Sequence, residues 1–518
     1  MVVIENKNKC CGCRACEQIC PVNCIEMKRN AEGFMYPQVC ETACIGCNAC
    51  KNVCPVIISA MHENEMTECE IKAYGGWNKD EVVRINSSSG GAFSLFAEKI
   101  ISSGGKVFGC SLDEENRAIH IGADTLDALQ ALRGSKYVQS DTANTYNEVK
   151  ESLKEGRMVL FVGTPCQAAG LYSFLGKKAY KNLYIVDFIC HGVPSPQVFA
   201  DYINKLERKN RSRIVAYKFR NKDKGWSQTG LQLGTFYKYQ DGTEVRKYPA
   251  FCDKYMNAFL DDIVLRPSCY ECCFKSLPKV YADFTIGDFW GVDKINPELN
   301  DKKGTSLILV NTPKGKKFWD EVSEGFEYKE VDLEKAIRKN PTLLKSAKRL
   351  SRRDKFFADY QDKGYDYVEK KYMSAITWGR HKAMTMAKPL CDKLGQFIKF
   401  GIVGCSNTLI NLAVYYLCLY LGINYIIAYT LGFLVSVCNA FYWNNKYVFK
   451  NKQEKSLVRA FIKVFASYGF SFVLSLVMMS LMVEILNISF VIAPVLKLVV
   501  TIPINFLLNK VWAFKDTK

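Results

Sequence analysis

Eight cysteines near the N-terminus carry the most legible chemistry of this chain. They fall in two runs of identical spacing, Cys10-x2-Cys13-x2-Cys16-x3-Cys20-Pro21 and Cys44-x2-Cys47-x2-Cys50-x3-Cys54-Pro55. Three thiolates at i, i+3 and i+6 on a tight loop can face one 4Fe-4S cubane. The fourth, followed by a proline that stops the coil, points away toward the cubane of the other run. The expected wiring is crossed: Cys10, Cys13, Cys16 and Cys54 around one cluster, Cys44, Cys47, Cys50 and Cys20 around the second. A single such run would also suit zinc, but two matched runs that both end in Cys-Pro favour iron and sulfide. The spare thiols Cys11, Cys24 and Cys40 read as small apolar fillers.

A second constellation lies further along. Met158–Val162 is an apolar run that breaks into Gly163-Thr164-Pro165-Cys166-Gln167 and then a helix. Leu183–Ile189 is another, breaking into Cys190-His191-Gly192-Val193-Pro194-Ser195. Apolar strand, glycine-containing turn, helix and apolar strand form a βαβ pattern, so an α/β domain with a parallel sheet is expected, with Cys166 and Cys190 just past strand ends where such sheets hold ligands. Cys269 and Cys272 add a CxxC, with Cys273 beside it. Together these suit a third cluster. The same residues also allow one catalytic thiol, Cys190 beside His191, or plain core thiols.

The elements around these sites divide the chain. Its 518 residues suffice for about three domains. Eleven of the 23 cysteines lie within the first 54 residues at cluster spacing, and no secretory signal precedes them, so a reducing, cytosolic compartment is expected. The expected organisation is 1–62, a small α+β two-cluster domain; 69–335, the α/β domain; 336–396, a basic linker; and 397–518, a membrane domain. From Arg338 to Lys399 there are 16 Lys and Arg against 6 Asp and Glu, interleaved with aromatics. That pattern alone would suit nucleic acid. The apolar stretches next in the chain make a juxtamembrane segment on anionic lipid the better expectation, and no nucleic-acid partner is expected.

Those stretches number four: Phe397–Leu421, Tyr425–Trp443, Val464–Leu486 and Phe490–Leu508. Each is long enough to cross a bilayer, so an all-α bundle of four transmembrane helices is expected. Basic residues flank the first span, fill the connection between the second and third, and come after the fourth. The positive-inside rule therefore puts both termini and the redox domains in the cytosol, on a multi-pass inner-membrane protein. Phe397-Ile398-Lys399 recurs as Phe461-Ile462-Lys463, and Asn445-Lys446 as Asn509-Lys510, both shifted by 64 residues. The bundle is expected to be two repeated hairpins. Asn407, Asn411, Asn439, Glu484, Lys497 and Asn505 lie within spans, as functional groups or as interhelical hydrogen bonds.

Three resemblances extend this reading. The N-terminal runs resemble a bacterial-type two-cluster ferredoxin. The spans, the repeat and the Asn-Lys ends resemble the GtrA family of four-span membrane proteins, associated with polyprenyl-linked sugars in surface polysaccharide synthesis. The middle resembles the beta subunit of the coenzyme F-420 hydrogenase/dehydrogenase family, iron–sulfur flavoproteins. It does so through Asn86-Ser87-Ser88-Ser89-Gly90-Gly91, Gly134–Ser140, Gly163–Gln167, Cys190–Ser195 and Gly287-Asp288-Phe289-Trp290-Gly291. This resemblance implies FAD and makes Cys166, Cys190, Cys269 and Cys272 the ligands of the third 4Fe-4S cluster, with Cys273 as a substitute. No GxGxxG follows a strand. Ser87, Ser88, Ser89, Gly90 and Gly91 before a helix offer small residues and free N–H groups to a pyrophosphate; with Lys136, Gly163 and Gln167 they form the expected cofactor site. The same serines also read as an ordinary helix cap. His191 is the expected proton relay, or a histidine that merely bonds the backbone.

The expected function is that of a membrane-anchored iron–sulfur flavoprotein oxidoreductase. Electrons from a low-potential donor such as ferredoxin pass through the clusters to FAD and on as hydride to an organic substrate, in a surface-polysaccharide setting with a lipid-linked sugar near at hand. The alternatives are a lipid-linked sugar translocase with a redox accessory domain, and an electron-delivery subunit with no substrate of its own.

Overall fold

The structure is a computed structural model and describes residues 7–61, 70–226, 231–374, 399–423, 425–444, 463–470, 477–478, 481–486 and 504. The chain divides into two compact units, Met1–Gly379 and Arg380–Lys518.

In the first unit the strands are β1 (Ile25–Arg29), β2 (Met35–Val39), β3 (Lys72–Asn78), β4 (Lys106–Leu112), β5 (Ala118–Ala123), β6 (Val159–Gly163), β7 (Leu183–Phe188), β8 (Ile214–Asn221), β9 (Gly234–Tyr239), β10 (Glu244–Lys247), β11 (Phe284–Asp288), β12 (Ser306–Val310) and β13 (Phe326–Glu330). β1 and β2 pair antiparallel, and β10-β9-β8 form a second antiparallel sheet. The main sheet has eight strands in the order β13-β3-β12-β11-β7-β6-β4-β5. β4, β6, β7 and β11 run parallel, while β5 on one side and β12, β3 and β13 on the other each pair antiparallel with their neighbours. The parallel sheet expected from the βαβ pattern is thus the centre of a mixed sheet. Val159-Leu160-Phe161 and Leu183–Val186 are buried throughout, as strands covered on both faces must be. The helix Ala92–Ser102 lays Leu95, Phe96 and Ile100 on the sheet, with Phe96 stacked on Phe284 at 4.5 Å.

The basic stretch 336–396 behaves differently from a linker as far as Ser374. Helix Ser351–Tyr372 buries Phe356, Phe357, Tyr365, Val368 and Tyr372 in the core of the first unit. Its charges are matched locally: Arg353 grips Glu32 at 2.5 and 2.7 Å, and Glu369 accepts from Lys205 and Lys254. Aromatic residues interleaved with charge here form a docking face on the protein itself. Residues 375–398 lie outside the described residues.

In the second unit, Lys399–Tyr420 is long and apolar enough to cross a bilayer. Gly422, at φ +76°, turns the chain into helix Tyr425–Trp443. Asn439 Nδ2 donates to Asn407 Oδ1 at 2.7 Å, so two of the expected intramembrane asparagines bond helix to helix. The expected third span is described only at 464–470, 477–478 and 481–486, where Glu484 falls in the turn Leu481–Ile485. Lys497, Asn505 and all of the expected fourth span except residue 504 lie outside the described residues.

Candidate functional site

The two N-terminal runs adopt one backbone plan. Gly12 and Gly46 both sit at φ +71°, Arg14 and Asn48 are left-handed at φ 61° and 59°, and each run then enters a single helical turn, Ala15–Gln18 or Ala49–Asn52. The thiols of Cys10, Cys13, Cys16 and Cys54 line one small hollow, and those of Cys20, Cys44, Cys47 and Cys50 line another. In each hollow the fourth of these cysteines comes from the other run, with Cys11 also lining the first hollow and Cys24 the second. Among the described residues no three His, Cys, Asp or Glu side chains close around a point as they would for a single ion. Cys11 and Cys24 are buried among these thiols, with Cys24 Sγ 3.5 Å from Cys20 Sγ. Cys40 is exposed and bonds Thr42, so it is no filler.

The loop carrying Cys10–Cys16 is docked on the α/β body. Gln139 Nε2 donates to the Cys11 carbonyl at 3.0 Å, Thr142 Oγ1 to that of Cys13 at 3.1 Å, and Arg14 pairs with Asp141 at 2.5 Å. Helix Pro165–Phe174 comes so near that a Cβ on Gly170 would stand 3.1 Å from the Cys13 sulfur. Contact with the Cys11 thiol, followed by burial, pushes the Cys166 thiol well up. Burial also pushes Cys190 up to about 12, with Lys275 opposing and Cys166 and Cys272 adding. Cys269 rises through burial and then Cys190, and Cys272 through burial and then Cys166. The four expected ligands from three loops thus lie within reach of one another's fields. The Val193 N–H points at Cys269 Sγ, 3.4 Å away. Cys273 is exposed beside them.

Beyond the C-terminal ends of β4, β6, β7 and β11 opens a cavity of about 500 Å³. Its wall includes Ser87, Ser88, Ser89, Gly91, Lys136, Gly163, Gln167, Cys190 and His191. Gly90 is absent from the wall; its N–H bonds Ser306 Oγ at 3.0 Å behind it, and a Cβ there would meet the Gly76 carbonyl at 2.5 Å. Gly91, at φ +89°, starts helix Ala92–Ser102, whose first residues face the cavity. Ser88 Oγ accepts from the Ser135 N–H at 2.8 Å and so joins two loops of the wall. Gln167 is spent on structure. Its Oε1 accepts from the Thr164 N–H and hydroxyl, capping helix Pro165–Phe174, and its Nε2 donates to Ser140. Lys136 Nζ donates to the carbonyls of Ala131 and Arg133, and burial brings its pKa down to about 8.

Arg220 on the wall and Asp262 behind His191 carried no role in the sequence. His191 Nε2 lies 2.5 Å from Asp262 Oδ1, and Asp262 is itself left-handed at φ 57°. Arg220 pairs with Asp288, which also accepts from Trp226 Nε1 at 3.1 Å. Trp290 lies flat on Trp226 at 5.2 Å. Asp288 and Trp290 belong to the Gly287–Gly291 motif; Arg220 and Asp262 had no local signal. Three buried wall nitrogens, His120 Nδ1, Arg133 Nε and Arg220 Nε, have no hydrogen-bond partner among the described residues. Unsatisfied buried polar atoms are costly and point to a polar occupant; the charges of Arg220 and Arg133 are already met by Asp288 and Glu98. The volume falls within the range of cofactor pockets, roughly 300–1,000 Å³. The residues present fit a phosphate-bearing cofactor.

The class is a mixed α/β body with a ligand cavity at its strand ends, in one chain with an apolar helical unit. Residues 156–336 match the family model for the C terminus of the coenzyme F-420 hydrogenase/dehydrogenase beta subunit, and over residues 399–514 the chain belongs to the GtrA/DPMS transmembrane-domain family. It is similar to a subunit of the F(420)H(2) dehydrogenase of Methanosarcina mazei, 24% identical over 338 residues, covering 62% of this chain and 84% of that one. The cell wall teichoic acid glycosylation protein GtcA of Listeria monocytogenes is 33% identical over 131 residues, covering 24% of this chain and 90% of that one. A solved structure of the F-420-reducing [NiFe] hydrogenase complex from Methanosarcina barkeri, derivatized with xenon, matches at TM-score 0.34 and 16% identity, covering 52% of this chain and 89% of that chain. These likenesses support an oxidoreductase joined in one chain to a membrane domain.

Proposed function

We propose that the chain is a membrane-tethered iron–sulfur flavoprotein that passes electrons from a low-potential one-electron donor to an organic substrate. The observation that carries this reading is the run of thiol sets that ends at the cavity wall: Cys166 lies against the Cys10–Cys16 loop, and Cys190 lines the cavity beside His191. When bound, the clusters relay single electrons, and FAD collects them and delivers a hydride.

The chain's own residues do the rest. The Ser87–Ser89 and Gly134–Lys136 loops, tied through Ser88, approach a phosphate with small residues and the start of helix Ala92–Ser102. Lys136 supplies positive charge, while Arg133 shares its own with Glu98. His191, oriented by Asp262, holds a proton at the cavity wall. In this reading the helical unit keeps the redox unit at the inner leaflet, where a lipid-linked or membrane-proximal substrate is accessible, in a surface-polysaccharide pathway.

The test is anaerobic purification of the whole chain in detergent, with iron, sulfide and flavin measured on one sample. About 12 irons and one FAD per chain are expected, four irons for each cubane. About 8 irons and no flavin would remove both the middle cluster and the enzyme reading, leaving an electron-delivery protein.

A second reading, translocation of a lipid-linked sugar by the helical unit, draws on the Asn407–Asn439 bond between its helices, since polar side chains in a span are functional candidates by default. Transport lost in Asn439→Leu with flavin reduction intact would favour it.

A further inference from the structure

Three arginines are buried in the described residues: Arg84, Arg266 and Arg353. Arg84 holds Asp301 through two bonds of 2.5 and 2.7 Å, and Arg353 holds Glu32 in the same way. Arg266 is the exception. It is 0% exposed, and each guanidinium nitrogen donates to a neutral oxygen: Nε to the Cys10 carbonyl at 2.7 Å, Nη1 to Gln139 Oε1 at 3.0 Å, Nη2 to the Met35 carbonyl at 2.8 Å. Among the described residues no carboxylate lies within ion-pair distance. The ring faces of Tyr36 and Phe34, at 4.3 and 5.4 Å, soften the burial without cancelling the charge.

A buried charge without a partner of opposite sign is costly, and the surroundings say where that partner belongs. A Cβ on Gly12 would stand 2.8 Å from Arg266 Nη1, so the guanidinium lies directly against the backbone of the Cys10–Cys13 loop, where only glycine leaves room. The backbone N–H of Arg266 is bonded to the Val193 carbonyl, and its carbonyl accepts from the Cys269 N–H, so it is built into the same loops as the middle thiol set.

We propose that Arg266 is the fixed counter-charge for the anionic groups held by the Cys10, Cys13, Cys16, Cys54 set and the Cys166, Cys190, Cys269, Cys272 set. It is a positioning residue that favours the reduced form of both. The inference rests on the iron–sulfur reading. Four thiolates around a cubane give a net anion in either oxidation state. Reduction adds one electron from the one-electron donor and makes or breaks no bond, so a cation fixed between the sets stabilises the product of each reduction. The set of Cys20, Cys44, Cys47 and Cys50 has no contact with Arg266. Electrons are therefore drawn inward from it.

The test compares the full chain with Arg266→Gln and Arg266→Lys, purified anaerobically in detergent. Each protein is assayed for iron and sulfide and titrated redox-potentiometrically with electron paramagnetic resonance detection of each centre. Arg266→Gln is expected to lower the potential of two centres and leave the third in place. At the poise where wild type is half reduced, the reduced-to-oxidised ratio of those two should fall on the order of tenfold, for one charge lost at close range. Arg266→Lys should stay near wild type.

Equal behaviour of the two variants, whether both unshifted, both shifted alike or both shedding iron, would make Arg266 a structural anchor and overturn the inference. If Arg266→Gln alone sheds iron while Arg266→Lys keeps iron and potentials, the charge is required and the inference stands. Wild-type protein without iron would instead sink the iron–sulfur reading itself.

Discussion

The N-terminal thiol sets and the middle thiol set gather the same kind of side chain by opposite means. In the N-terminal runs, local backbone does the work. A left-handed residue follows a glycine at φ +71° in each run, and spacing alone puts three thiols on one side and one on the other. The middle set is assembled by topology. Cys166 follows β6, Cys190 follows β7, and Cys269 and Cys272 come from a loop near residue 270, brought alongside by the Pro194–Leu265 bridge. Thiols placed by topology need buried polar groups to hold three loops in register. Around the middle set those groups are Asp187 with Lys279, and Lys275 donating to the Cys190 and Thr342 carbonyls.

The comparison breaks first, and most visibly, at the crossed grouping. Cys54→Ser should cost about four irons, those of the centre that Cys13→Ser also removes. Cys20→Ser should cost about four from the other centre. Distinct paramagnetic signals lost in the two variants would bear this out; loss of the Cys50 centre in Cys54→Ser would show uncrossed runs.

That difference in means also explains what the sequence revealed. Spacing exposed the N-terminal grouping because it is encoded within each run, plus one exchange across a proline. The strand–turn–helix pattern exposed Cys166, Cys190 and the cavity's position, because strand ends of a parallel sheet are where ligands bind. It did not expose Arg266, Asp262 or Arg220, whose partners are 68 to 256 residues away. Nor could it show that Gln167 is consumed by its own helix cap, or that the aromatic and basic helix Ser351–Tyr372 packs into the core of the first unit. Composition reports charge, and only the fold reports which carboxylate meets it.

The next test strikes the buried pair. Asp187 is 0% and Lys279 2% exposed, with Nζ 2.7 Å from Oδ2. Lys279→Met strands a carboxylate in the interior and should cost about 3–5 kcal/mol, measured as a lower denaturation midpoint of the full chain in detergent. Asp187→Asn with Lys279→Met should recover most of it. An unchanged midpoint in the single variant would mean that the middle region does not depend on its buried polar groups.

A smaller effect is expected at the seam between the two regions. A Cβ on Gly170 would meet Tyr146 Oη at 2.8 Å and Cys13 Sγ at 3.1 Å. Gly170→Ala therefore overpacks the contact between helix Pro165–Phe174 and the first cysteine loop. It should cost roughly 2–3 kcal/mol and change the spectrum of the Cys10, Cys13, Cys16, Cys54 centre while sparing the Cys20 centre. An equal change in both centres would show that the docking is not local to Gly170.

The smallest effect concerns acid, and it belongs to the assembled region. His120 is paired across the sheet with Cys110, stacked on Phe161 at 5.6 Å, and donates Nε2–H to the Val162 carbonyl at 3.1 Å. Burial lowers its pKa from 6.5 to about 4, with the Val162 carbonyl and Asp141 opposing. Between those values the unfolded chain binds a proton that the folded chain refuses. The stability from the neutral ring is fully present above pH 6.5 and is lost as pH falls toward 4, roughly 1–2 kcal/mol of it by pH 5. His120→Gln keeps a donor for Val162 and does not titrate. Its midpoint should match wild type near pH 7 and fall less between pH 6.5 and 5. Parallel pH profiles for the two proteins would mean that His120 is protonated in the folded state. The acid sensitivity would then have to come from the other groups of the fold.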